Sequence, residues 1–234
     1  MIIIYDFDGT LTPHGLPQYA ILKELGYDDE KLLIKVKEEM KQSNISLYEA
    51  FYKTYEIILR ENGKELTHEN IVYKAQDVEL NNGVISFFES MKDMKNLQNY
   101  IVTSGFEEYV KNTKISPYLD GIYGVTYKKE EGKHKEIDRL ITDEEKPTII
   151  KEIISQNKGM PVIYIGDGLT DKYAFEYVHS TGGTTIYVGS TNEDFSNYET
   201  LHELGIVDEY FTRDYDKESD LSKYINKLLK GRAK

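Results

Sequence analysis

The chain contains no cysteine and no tryptophan. Without cysteine there is no disulfide framework, no thiol nucleophile and no cysteine-based zinc site. No apolar run approaches the roughly 20 residues that a membrane span needs. Basic excess is also missing, since 29 Lys+Arg face 41 Asp+Glu for a net charge of −12. That deficit argues against a nucleic-acid polymer or an anionic membrane as partner. A small anionic substrate remains open, because a metal and one or two cations reverse a local field. No basic and then apolar leader precedes the first strand-like run, so the expected location is the cytoplasm. A length of 234 residues allows a substantial core in one or two domains.

What is present begins at once. Ile2-Ile3-Ile4-Tyr5 reads as a strand and runs into Asp6-Phe7-Asp8-Gly9-Thr10. Residues two apart on a strand point the same way, so both carboxylates reach one place just past its carboxyl end. Open α/β sheets bind ligands in such crevices. One acid can attack an electrophile while the other moves a proton. A calcium loop would need further oxygen ligands and a late Glu. Leu11-Thr12-Pro13 follows instead, which rejects that reading.

Further β-type runs lie at Tyr100–Thr103, Val162–Ile165, Thr185–Val188 and Ile206–Phe211, separated by helical patterns. This alternation predicts a doubly wound, Rossmann-like α/β fold with a parallel sheet. Residues 14 to about 80 break the rhythm, with helices predicted near 16–26, 29–42, 46–61 and 67–76. Ser46 and Glu49 form a capping box for the third, and Asn62-Gly63 stops it. An all-helical block this long reads as a lid, because a crossover needs far less chain. The predicted division is a core of 1–13 and 81–234 with a helical cap of 14–80, hinged near 13–15 and 78–83. Residues 122–141 read as a charged β-hairpin.

Three more motifs follow predicted strands or open helices. Thr103-Ser104-Gly105-Phe106 reads as strand, hydroxyl, glycine and helix start, an anion-site pattern. Gly166-Asp167-Gly168 ends another strand, and Asp171 opens the helix after it, placed to orient the site. Lys146 precedes Pro147 at a predicted helix start, with Lys146 as N-cap. Lys133 and Lys135 compete for the same role, and position favours Lys146.

This ordered set resembles the haloacid dehalogenase-like superfamily. Asp6-x-Asp8-Gly9-Thr10, Ser104, Lys146 and Gly166-Asp167-Gly168-x-x-Asp171 stand where its four motifs do. The layout is similar to the phosphoserine phosphatase-like branch with a type 1 helical cap. The resemblance implies a phosphatase that hydrolyses a small phosphorylated metabolite through an aspartyl-phosphate on Asp6. It implies Mg2+ held by Asp6, the Asp8 carbonyl and Asp167, with Asp8 as general acid and base and Asp171 in support. Ser104 and Lys146, with Gly9 and Gly105, would hold the phosphoryl oxygens. A sugar phosphomutase is the alternative. A non-catalytic phospholigand-binding module is a weaker one, since it would not need both Asp6 and Asp8. The expected assembly is a monomer or homodimer.

One departure bears on specificity. Phosphoserine phosphatases grip the amino-acid end with a Glu soon after the first motif and an Arg in the cap. Here no acid follows before Glu24, and Arg60 is the cap's single arginine. Phosphoserine is therefore expected to be a poor substrate. His14, Gln18, Tyr19, Tyr48 and Tyr52 are candidates for the cap face.

Overall fold

In the computed structural model, residues 1–15, 21–130 and 133–231 are described. Gln18, Tyr19 and the hairpin turn at 131–132 lie outside them. A seven-stranded sheet organises the chain, in the order β4-β3-β2-β1-β5-β6-β7. Its strands are β1 (Ile2–Tyr5), β2 (Gln98–Phe106), β3 (Gly121–Glu130), β4 (Lys133–Arg139), β5 (Val162–Gly166), β6 (Thr184–Gly189) and β7 (Glu209–Thr212). All adjacent pairs are parallel except β3–β4, which is the predicted hairpin.

β1 is central, with Ile2 paired to both Gln98 and Val162. All four of its residues are fully buried, as a parallel strand covered on both faces requires. Their alternation sorts two cores. Ile3 and Tyr5 join one face with Ile101 and Ile165, while Ile2 and Ile4 join the other with Val102 and Tyr164. The strand order departs in opposite directions from β1, so the switch point lies between β1 and β5. Ligand crevices open at such points, outside the carboxyl ends.

The block after β1 is helical, with α1 (Ile21–Glu24), α2 (Asp29–Ser43), α3 (Leu47–Glu61) and α4 (His68–Ile71). The Ser46–Glu49 capping box forms as predicted. α2 has Asp28 as N-cap, accepting from Lys31 N at 2.9 Å, and ends at Asn44 with φ of 51°. The helix predicted over 67–76 stops early. Lys74 takes a left-handed conformation and divides α4 from a 3-10 turn at Ala75–Asp77. Residues 65–68 tie this block to the hairpin. His134 N donates to Leu66 O at 3.0 Å, and Thr67 bridges Lys133.

The rest of the core carries α5 (Val84–Met91), α6 (Glu107–Lys111), α7 (Lys146–Gln156), α8 (Lys172–Ser180), α9 (Asn192–Glu203) and α10 (Asp220–Gly231). α5 and α10 cover one face through Phe87, Phe88, Leu221 and Ile225. α7, α8 and α9 cover the other through Ile150, Phe175 and Leu201. No described helix is long and apolar enough to cross a membrane.

Two local expectations change. β2 continues through Phe106, so Ser104 and Gly105 lie within the strand rather than at a helix start. A register shift between Val102 and Phe106 bends β2 there, and the helix that follows is only five residues long. Lys146 is the first residue of α7, and Glu145 is its N-cap, one position earlier than predicted.

Candidate active site

The carboxyl ends of β1, β2 and β5 bring the motif residues around one cavity of about 440 Å³. Asp6, Asp8, Ser104, Gly105, Lys146 and Asp167 all line it. Lys133 and Lys135 are exposed on β4, and neither lines it.

Lys146 is 2% exposed and sits between two acids. Its Nζ lies 2.7 Å from Asp171 Oδ1 and 3.2 Å from Asp6 Oδ1. Burial alone would lower the lysine pKa, but the two neighbouring carboxylates outweigh it and raise it. Lys146 is therefore charged.

Asp171 is held from every side. Oδ1 accepts from Lys146 and from the Tyr164 hydroxyl at 2.6 Å. Oδ2 accepts from the backbone N–H groups of Asp167 at 3.0 Å and Gly168 at 3.4 Å. Four donors fill a carboxylate's four lone-pair positions. Asp171 thus orients Lys146 and the Asp167 loop and has no capacity left for a further ligand.

Asp6, Asp8 and Asp167 are less well compensated. Burial raises the Asp6 pKa to about 7, with Lys146 opposing and Asp171 reinforcing the rise. Asp8 is raised by burial and then by Asp6. Asp167 is raised by burial, then by Asp171 and Asp6, while a 2.8 Å bond from Thr10 Oγ1 to its Oδ1 opposes this. Four carboxylates here face one ammonium. Oxygen atoms of Asp6, Asp167 and Asp171 lie within 4.8 Å of one another. Since Asp171 is saturated, Asp6 and Asp167 are the pair fitted to a hard divalent cation.

Two glycines let this cluster close. Gly9 has φ of +78°, and a Cβ there would fall on the Asp167 carboxylate. A Cβ on Gly105 would sit 3.0 Å from Asp8 Oδ2. The Gly105 N–H donates to Thr103 Oγ1 at 2.9 Å, so Gly105 serves close approach here rather than anion capture. We expect Gly9→Ala to cost about 1–3 kcal/mol in backbone strain and to push Asp167 aside. Thermal melts with and without a divalent cation would show a lower melting temperature and a lost cation shift. Parental melts in both conditions would refute this.

Ser104 Oγ is buried without a well-aligned partner, and the Tyr48 hydroxyl lies beside it. Tyr48 and Tyr52 come from α3. The Tyr48 hydroxyl donates to Asp143, in the loop before α7, and the Tyr52 hydroxyl donates to the Ser104 carbonyl. Asp143, Thr10 and Tyr164 were not identified from sequence. Thr10 lay inside the first motif, and Tyr164 lay on a recognised strand, three residues before Asp167. Asp143 carried no local signal. A second support lies behind Thr10. Its carbonyl accepts from the Tyr215 hydroxyl at 3.1 Å and from Asn81 Nδ2 at 2.8 Å.

The fold has counterparts among solved structures. A structure described as a phospho-aspartyl intermediate analogue of phosphoserine phosphatase aligns with a TM-score of 0.63 at 20% identity, covering 96% of this chain and 97% of that one. A substrate-bound phosphoserine phosphatase complex aligns at 0.62 and 18% identity, covering 96% of each chain. A haloacid dehalogenase family hydrolase from Salmonella enterica serovar Typhi aligns at 0.61 and 16% identity, covering 83% of this chain and 64% of that one. The chain has the haloacid dehalogenase-like fold. The phosphoserine phosphatase alignments cover 96% of this chain, more than the core strands and helices alone make up. No family sequence model and no curated protein sequence matches the chain.

Proposed function

We propose that the protein is a Mg2+-dependent phosphatase acting on a small phosphate monoester. One observation carries this reading: Asp6, Asp8, Ser104, Lys146 and Asp167 converge from separate strand ends and loops on one cavity. Asp6 attacks phosphorus in line, and the bond to the leaving oxygen breaks as an aspartyl-phosphate forms. Asp8 donates a proton to the leaving oxygen, a role suited to its raised pKa. It then takes a proton from the water that cleaves the acyl phosphate. Lys146 and the Ser104 hydroxyl hold equatorial oxygens, where transition-state charge collects. Asp6, the Asp8 carbonyl and Asp167 would hold Mg2+, which supplies charge neutralisation at the phosphoryl group.

The helices of residues 14–80 act as a cap over this site in our reading. α2 and α3 supply one wall of the cavity, and a closed wall excludes water during transfer. Such a site admits a small leaving group, not a folded phosphoprotein. Arg60 is exposed and does not line the cavity, so no clamp for an amino-acid carboxylate is evident among the described residues.

A panel assay tests this. Small phosphate monoesters should be hydrolysed with Mg2+, phosphoserine poorly and a phosphoprotein hardly at all. Excess chelator should stop turnover, and Mg2+ should raise the melting temperature by binding the native state. Full activity in chelator would remove the metal assignment. A panel led by phosphoserine would remove the specificity argument.

A further inference from the structure

The cavity has two unlike halves. Its floor is the acidic cluster with Lys146, Ser104 and Thr170. Leu32, Leu33 and Val36 of α2 with Leu47 and Phe51 of α3 give it an apolar wall. Tyr48 and Tyr52 stand between, with their hydroxyls already committed to Asp143 and the Ser104 carbonyl. Among the described lining residues Lys146 is the one cation, and no Arg, His, Asn or Gln reaches the space. A sugar or nucleoside leaving group would lay several hydroxyls against the side chains of Leu32, Leu33, Val36, Leu47 and Phe51, where each buried hydroxyl left without a partner carries a cost. An anionic leaving group would meet the carboxylates of Asp29 and Asp143, which also line the cavity.

The apolar wall also continues outward. Leu33 and Leu47 line the cavity yet are 45% and 47% exposed, so they form its rim. Exposed large apolar side chains grouped at the mouth of a cleft mark a surface made to be covered.

We propose that the leaving group is a neutral, apolar alcohol, seated against the α2–α3 wall with its phosphate on Asp6 and Lys146. This rests on the phosphatase reading and narrows its substrate class. The overall reaction is monoester plus water giving the alcohol and inorganic phosphate, with no other reactant. Affinity should then grow with the apolar area that the ester buries.

Two series separate the two readings. The first measures kcat/KM with Mg2+ for n-alkyl phosphates from methyl to hexyl, with glucose 6-phosphate and phosphoserine alongside. The second measures binding of the matching non-hydrolysable n-alkylphosphonates by calorimetry. We expect both to rise by up to about fourfold per added methylene until the wall is covered. Hexyl phosphate should exceed glucose 6-phosphate by at least about 100-fold over such a series. Leu33→Gln and Leu47→Gln, at exposed positions that the fold tolerates, should flatten the dependence on chain length. If no ester turns over but the phosphonates still tighten with length, the apolar site stands and the phosphatase reading falls. If esters turn over while both series stay flat, or glucose 6-phosphate or phosphoserine leads, the apolar leaving group is overturned. Unchanged slopes in both glutamine variants would also overturn it.

Discussion

Asp6→Asn is expected to abolish turnover and leave the fold intact. Carboxylate and amide are nearly isosteric, and the residue is only 5% exposed, so packing is kept. The backbone N–H of Asp6 still donates to Ile165 O at 2.9 Å. The amide removes one negative charge from a cluster that Lys146 alone does not balance. In chelator the variant should therefore melt at or above the parental temperature, since Asp6 is held as an anion only against the cost that lifts its pKa to about 7. Turnover is another matter, because an amide does not form the acyl phosphate. A loss of about four to six orders of magnitude is expected, the scale seen when a covalent nucleophile is removed. The melting shift produced by Mg2+ should shrink as well. A folded variant with near-parental turnover would sink the assignment of Asp6 as nucleophile.

Lys146→Met should damage stability and activity together. Methionine fills much of the same volume but leaves Asp171 and Asp6 buried without their cation. Breaking one partner out of a buried ion pair costs about 3–5 kcal/mol. Asp171 keeps Tyr164 and two backbone donors, which argues for the lower end. For a chain of this size that is a melting-point drop of about 6–20 °C. Loss of a donor to the transferred phosphoryl group costs a further 10²–10³ or so in kcat. Lys133→Met is the control. Lys133 is half exposed and pairs at 2.9 Å with an exposed Glu65, a bridge worth about 0–1 kcal/mol. Lys135 is exposed as well. If either control proves more damaging to activity than Lys146→Met, the role of Lys146 is misplaced.

The parts of this site that were legible in the sequence are those built from local pattern. Ile2–Tyr5 is buried on both faces and reads as such from four apolar residues in a row. The capping box at Ser46 declares itself by residue type and spacing. Asp171 was placed by its distance from Gly166-Asp167-Gly168, and its side chain does hold that turn. What escaped depends on contacts between distant segments. The Tyr215 hydroxyl reaches the carbonyl of Thr10 across 205 residues of sequence, and Tyr48 reaches Asp143 across 95. The extent of β2 was misread because Ser-Gly commonly breaks a strand. Here pairing with β3 resumes at Phe106 and Val125, and carries the strand past both residues. The apolar wall was hidden for a different reason. Leu33 and Leu47 read as ordinary faces of amphipathic helices, and only the tertiary placement of α2 and α3 aims them at the acids.

The central position of β1 has a consequence for how the chain is made. During synthesis Ile2–Tyr5 emerges before both of its partner strands, which pair with it from Gln98 and Val162 onward. Until the first of these emerges, four apolar residues with two open edges travel as unpaired nascent chain. The helices of 29–61 close through local contacts and form meanwhile, since turns and helices assemble far faster than long-range parallel pairing. Synthesis at about 5–20 residues per second leaves roughly 8–30 seconds between this strand and its second neighbour. Vectorial folding of this protein is thus helices first and sheet last. The segment that carries the proposed nucleophile is also the one that waits longest for its neighbours.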